Sequence, residues 1–183
     1  GGHVLYIGLD SMPNPTVAST LASIWLADLA NIAGRRYNLG LSVLNSKRIS
    51  LFIDEVSNVI NVPLIEILNK GAESGIQTTC AMQTIADLAH RMGSVEAAHV
   101  VLGNLNNLIA LRTKDQMTQK FVVETLGKTY IANQTLSINN RASDNLSPDY
   151  HSGLTRQMNT ELEPIFPPEF LGKLPNCEAI VQV

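Results

Sequence analysis

Two adjacent acids, Asp54 and Glu55, close the short apolar run of RISLFIDE at residues 48–55. A strand that ends abruptly on paired carboxylates places them where an open parallel sheet presents its ligand crevice, just beyond the carboxyl ends of the strands. Four or five apolar residues followed by Asp-Glu is the Walker B pattern. Its chemistry divides two tasks. The first acid, Asp54, helps hold Mg²⁺ through the water shell of the ion, and the second, Glu55, polarises the water that attacks a γ-phosphate. The competing reading is structural: acids at a helix N-terminus are stabilised by the backbone dipole, so the same pair could simply cap a helix.

Two further polar residues fall at corresponding points. Gln83 follows the next apolar strand, where an amide could sense the γ-phosphate or orient the same water, as a glutamine does in other nucleotide hydrolases; its alternative is a turn residue. Arg112 ends the strand after that and could reach a phosphate in its own subunit or a neighbour's, or could form a surface salt bridge. No GxxxxGK followed by Ser or Thr occurs, so the loop whose backbone amides and lysine cradle phosphates is absent from this sequence. This chain alone is therefore expected not to hydrolyse ATP. His3, His90, His99 and His151 show no metal spacing, Cys80 and Cys177 are too far apart for a zinc knuckle, and the serines lie in no GxSxG pattern.

The elements that must position these residues alternate. Residues 3–9 read as a buried strand turning at Asp10, and residues 16–32 as an amphipathic helix after Pro15, closed by Gly34, with a polar loop to about Ser46. After the strand at 48–55 come a helix at 62–69, a strand at 76–82, short helices at 84–92 and 94–102, and a strand at 105–111. A helix at 115–126 and a half-exposed strand at 128–138 follow, with Ser94 and Asp115 as N-caps. Residues 139–160 are polar and read as loop, with room for a hairpin partner to the preceding strand. A short helix opens at Pro167 and Pro168, and residues 178–183 form a final strand. Strands alternating with helices imply an α/β fold: a largely parallel sheet flanked by helices on both faces.

Composition agrees with one domain. The chain has 183 residues, 45% hydrophobic and 5% aromatic, which suits helices layered on a sheet better than a β-sandwich. Residues 3–138 form the expected core, and 139–183 an irregular extension with the final strand. A formal charge of −3 argues against a free-standing nucleic-acid module, which usually presents a basic face. No apolar stretch is read as reaching the roughly 18 residues needed to span a bilayer, so a soluble chain without membrane contact is expected.

Several segments carry a family resemblance. LFIDEVSNVINVPLIEILNKGAESGI, TTCAMQTIADL and NNLIALRTKDQMTQKFVVETLGK resemble the Walker B half of TraD/TraG-type conjugative coupling proteins, particularly the TraD branch of integrative conjugative elements. LASIWLADLANIAGRRY and the ending PPEFLGKLPNCEAIVQV are similar to that family too, so the likeness covers about residues 5–183. It implies a RecA-like P-loop NTPase core lacking its Walker A portion. It also implies a parent that is a homo-hexameric, DNA-translocating ATPase using ATP and Mg²⁺. Such a parent moves single-stranded DNA and bound relaxase to a type IV secretion channel, and this chain would be its cytoplasmic domain on a bacterial inner membrane. By position Asp54 would bind Mg²⁺, Glu55 would activate water and Gln83 would sit at the γ-phosphate. Where relatives carry an arginine in a GRG-like turn this sequence reads Lys70-Gly71-Ala72-Glu73, which leaves Lys70 or Arg112 as the candidate arginine-finger substitute. The competing function is a non-catalytic docking module for relaxosome or secretion-system proteins.

Overall fold

The computed structural model describes residues 2–9, 13–39, 48–140 and 152–183. The expected turn at Asp10, most of the polar loop before Ser46, and His151 lie outside them. The chain divides into two compact units, residues 1–109 with 180–183, and residues 110–179.

The first unit opens with α1 (Pro15–Asn38), which has Pro15 at its start, where a missing N–H costs nothing. The helix runs past Gly34, the expected stop. A glycine interrupts a helix only weakly, by about 1 kcal/mol relative to alanine, and here it is outweighed by packing: Leu26 and Ala33 are buried with Leu64 and Ile67 of α3 (Val62–Lys70) and Ile76 of β2 (Ile76–Cys80). Beyond Gly34, Arg36 donates from Nε to the Ser74 carbonyl at 2.8 Å, and Ser74 donates from Oγ to the Ala33 carbonyl at 2.9 Å. These two bonds tie the last turns of the helix to the 3₁₀ turn at Ala72–Ser74. By length and composition α1 is also apolar enough to cross a membrane, where the sequence reading finds no such stretch; scattered Ser, Thr and Asn residues interrupt the run without lowering its average enough. One stripe of it, with Leu26 and Ala33, is buried with α3 and β2, while Val17, Leu21, Ile24, Trp25 and Ile32, on the face expected to be apolar and inward, stand exposed.

β1 (Ile49–Ile53) pairs in parallel with β2, Ile49 opposite Ile76 and Ile53 opposite Cys80. Because side chains alternate across a strand, Ile49, Leu51 and Ile53 face the core while Phe52 stands 75% exposed. Helices cover one face of this pair. The largely parallel sheet covered on both faces is not seen: the described strands make three separate two-stranded sheets, β1 with β2, β3 (Leu108–Leu111) with β6 (Ala179–Gln182), and β4 (Lys128–Asn140) with β5 (Ser152–Pro164). Alternation of strands and helices in the sequence sets the order of elements; it does not supply the neighbouring strands a wide sheet requires. The same reason corrects residues 3–9, which have strand composition but no strand partner, so that Val4, Leu5 and Tyr6 are exposed and the segment is not a strand.

The remaining helices of this unit, α4 (Ile85–Met92) and α5 (Val95–Leu102), start where their caps require. Thr84 and Ser94 accept the backbone N–H groups of Asp87 and Ala97, and each satisfies a donor the first turn would otherwise leave open. In the second unit α6 (Gln116–Leu126) is capped by Asp115 and packs against the 3₁₀ segment Pro168–Lys173, with Val122 and Leu171 both fully buried. The short helix expected there is of the 3₁₀ kind. The polar tract expected as loop contains β5 (Ser152–Pro164), which pairs antiparallel with β4 (Lys128–Asn140) over their full lengths, the hairpin partner the sequence left room for.

Candidate functional site

The backbone at the end of β1 turns sharply. Glu55 has φ 48° and ψ 53°, the left-handed region, one of only two non-glycine residues with positive φ among the described residues. For an L-residue this costs roughly 1–2 kcal/mol, and such strain persists only where surrounding structure determines it. Here the surroundings do: the Ala81 N–H donates to the Ile53 carbonyl at 2.8 Å, and the Val56 N–H donates to the Ala81 carbonyl at 2.9 Å. Val56, 1% exposed, is buried beneath the turn. The two strand ends are thus locked side by side, and the acids after β1 stand beside the residues after β2.

Glu55 occupies the N-cap position of the single-turn helix α2 (Val56–Val59), so the structural reading of the sequence pattern was half correct about place. It is not correct about bonding. The Glu55 side chain makes no cap bond; its Oε1 accepts from Gln83 Nε2 at 3.3 Å and its Oε2 accepts from Asn58 Nδ2 at 2.9 Å. Asp54 accepts the Glu55 backbone N–H on Oδ1 at 2.9 Å, which orients its carboxylate at the same strand end. Asp54, Glu55, Asn58 and Gln83 are all exposed, so a ligand can reach them.

Three of the residues singled out from sequence are therefore neighbours through named bonds or the chain itself: Asp54, Glu55 and Gln83. Asn58 is the member that sequence reading missed; its signal was its place three residues after Glu55, the spacing at which side chains meet across one helical turn. Arg112 stands exposed directly after β3 in the second unit. Lys70 is exposed at the last turn of α3. Among the described residues no group of three or more His, Cys, Asp or Glu side chains gathers around a point. A protein cage for a metal is thus not built here. Mg²⁺, however, characteristically keeps several waters and takes one or two carboxylates together with substrate phosphates. An exposed carboxylate oriented at a strand end, as Asp54 is, fits that requirement.

Cys80 lies at the end of β2, half-buried, and desolvation pushes its thiol up to about 11. It therefore stays protonated at neutral pH, the state of an inert core thiol rather than a nucleophile.

Against this geometry, the family described as the TraM recognition site of TraD and TraG matches residues 48–176. The chain belongs to that family. Among solved structures, the bacterial conjugative coupling protein TrwBdeltaN70 in its unbound monoclinic form superposes with a TM-score of 0.65 at 21% identity, covering 91% of this chain and 35% of that one. TrwB in complex with the non-hydrolysable GTP analogue GDPNP gives 0.63 at 21% identity, covering 93% and 35%, and TrwB with ADP and Mg²⁺ gives 0.62 at 19%, covering 91% and 34%. The chain spans about a third of the length of these coupling proteins, and shares their fold over that part. Among curated protein sequences nothing matches.

Proposed function

We propose that this chain is the Walker B half of the motor domain of a conjugative coupling ATPase, of the TraD branch found in integrative conjugative elements. The observation that carries the reading is the state of Glu55: a carboxylate at a strand end, on a strained backbone, held by Gln83 and Asn58 instead of being spent on the helix it precedes. Strained residues of this kind cluster where a fold keeps a group ready for chemistry. Nucleotide and Mg²⁺ in the solved TrwB complexes support ATP and Mg²⁺ as the ligands of the longer parent protein.

In this reading Asp54 orients its carboxylate toward water held by Mg²⁺, and the ion when bound neutralises charge on the phosphates. Glu55 accepts the proton of the attacking water. Gln83 meets the γ-phosphate with its amide, and Arg112, or Lys70 in its place, reaches a phosphate of its own or a neighbouring subunit. The phosphate loop comes from the upstream part of the parent, so the 183-residue chain alone is inactive. The parent acts as a homo-hexamer on the cytoplasmic side of the bacterial inner membrane and moves single-stranded DNA with its relaxase to a type IV secretion channel. The family description favours a second role for the same chain, docking of a TraM-type relaxosome protein. The two roles are separable: docking does not need Glu55.

DNA-stimulated phosphate release from the longer protein, native against Asp54→Asn, tests the reading. Release should fall by at least about a hundredfold and recover partly at raised Mg²⁺ concentration, since one ligand to the hydrated ion is weakened. Unchanged release at every Mg²⁺ concentration removes Asp54 from the site and leaves the docking role standing.

A further inference from the structure

We infer that Asn58 is a positioning residue for Glu55, an inference that rests on the proposed role of Glu55 as the group that activates water. A glutamate on an exposed surface samples many rotamers, and ordering such a side chain costs up to roughly 1.5–2 kcal/mol. Glu55 is restrained by two amides, one on each carboxylate oxygen. Gln83, after β2, binds Oε1 at 3.3 Å, and Asn58, on the first turn of α2, binds Oε2 at 2.9 Å. The shorter of the two bonds is Asn58's, and the base it stands on is fixed: Val56, two residues earlier, is buried, and its N–H is bonded to the carbonyl of Ala81 just after β2.

The left-handed backbone at Glu55 and the bond from Asn58 serve one end. On that backbone the Glu55 side chain caps none of the N–H groups of α2, and Asn58 of that helix holds its carboxylate instead. An amide is the suitable holder. It donates a hydrogen bond without donating a proton, so the carboxylate keeps the capacity to accept one from water. When Gln83 turns its amide to a phosphate, the Asn58 bond keeps Glu55 in place.

The test uses the longer parent protein with ATP and single-stranded DNA. Asn58→Ala should lower kcat by about tenfold with KM for ATP nearly unchanged, since it loosens the reacting geometry and not nucleotide binding. Asn58→Asp is isosteric and keeps the turn's packing, but it replaces the donor by a second anion. It should lower kcat further at pH 8 and regain activity relative to native as pH falls toward 5, where the new carboxyl picks up a proton and donates again. A merely structural asparagine would show no such pH signature. Native kcat in both variants, with Glu55→Gln inactive, overturns the positioning role and leaves the role of Glu55 intact. Native activity in Glu55→Gln itself overturns the underlying reading instead.

Discussion

Among the described residues six α-helices follow a polar residue at the cap position; four use its side chain, while Asn14 before α1 and Glu55 before α2 make no side-chain cap bond. Asn61, Thr84, Ser94 and Asp115 each accept a backbone N–H from the first turn of the helix that follows, at 2.9, 3.1, 3.1 and 2.8 Å. Each sits in ordinary extended or near-extended backbone. Glu55, before α2, holds the same position on left-handed backbone and caps nothing. The four caps stabilise; Asn14 forgoes that gain without left-handed strain, and Glu55 forgoes it and adds strain as well. A residue kept against both costs, with its carboxylate tied to two side-chain amides, is placed for something other than folding.

Substitutions at these positions should separate the two kinds of residue. The largest effect is expected from Glu55→Gly, which frees the left-handed turn from its Cβ penalty. This chain should unfold at higher denaturant by roughly 1 kcal/mol, while the longer protein loses hydrolysis. A loss of stability would mean that the Glu55 side chain holds the turn together and the strain argument is wrong. Substituting the working caps should act in the opposite sense. Asn61→Ala, Ser94→Ala and Asp115→Ala should each cost about 1 kcal/mol in chemical unfolding, with little change in hydrolysis for the first two. The smallest effect concerns Cys80, whose thiol burial holds near pH 11. At pH 8 a thiol reagent should label exposed Cys177 well before Cys80, and Cys80 should gain reactivity only as pH rises toward that value. Equal labelling at pH 8 would mean that the end of β2, and with it the floor of the site, opens readily.

What the sequence disclosed follows from how local each signal is. The caps Ser94 and Asp115, the strands at 48–55 and 76–82, and the nearness of Gln83 to the paired acids were legible because short-range chemistry and strand-end position determine them. The width of the sheet was not, because strand pairing depends on partners that composition does not name; residues 3–9 read as a buried strand in sequence, and all of them but half-buried Leu9 stand exposed. The run of α1 through Gly34 was hidden for a related reason, since bonds from Arg36 and Ser74, 38 residues apart, decide it. Asn58 was passed over because its importance lies in a side-chain bond that requires the left-handed turn at Glu55, and nothing in DEVSN announces that turn.

In the proposed motor Glu55 is held for chemistry, while the neighbouring caps are held for stability. The most direct measurement pairs Glu55→Gln with Asn61→Ala, reading DNA-stimulated phosphate release in the longer protein and the unfolding midpoint of this chain. The account predicts that Glu55→Gln loses release by at least about a hundredfold, the scale of a removed general base, with ATP binding retained and the midpoint almost unmoved, and that Asn61→Ala loses about 1 kcal/mol of stability and keeps its release. Release preserved in Glu55→Gln, with the loss appearing in its unfolding midpoint instead, would contradict the account and return Glu55 to the role of a helix cap.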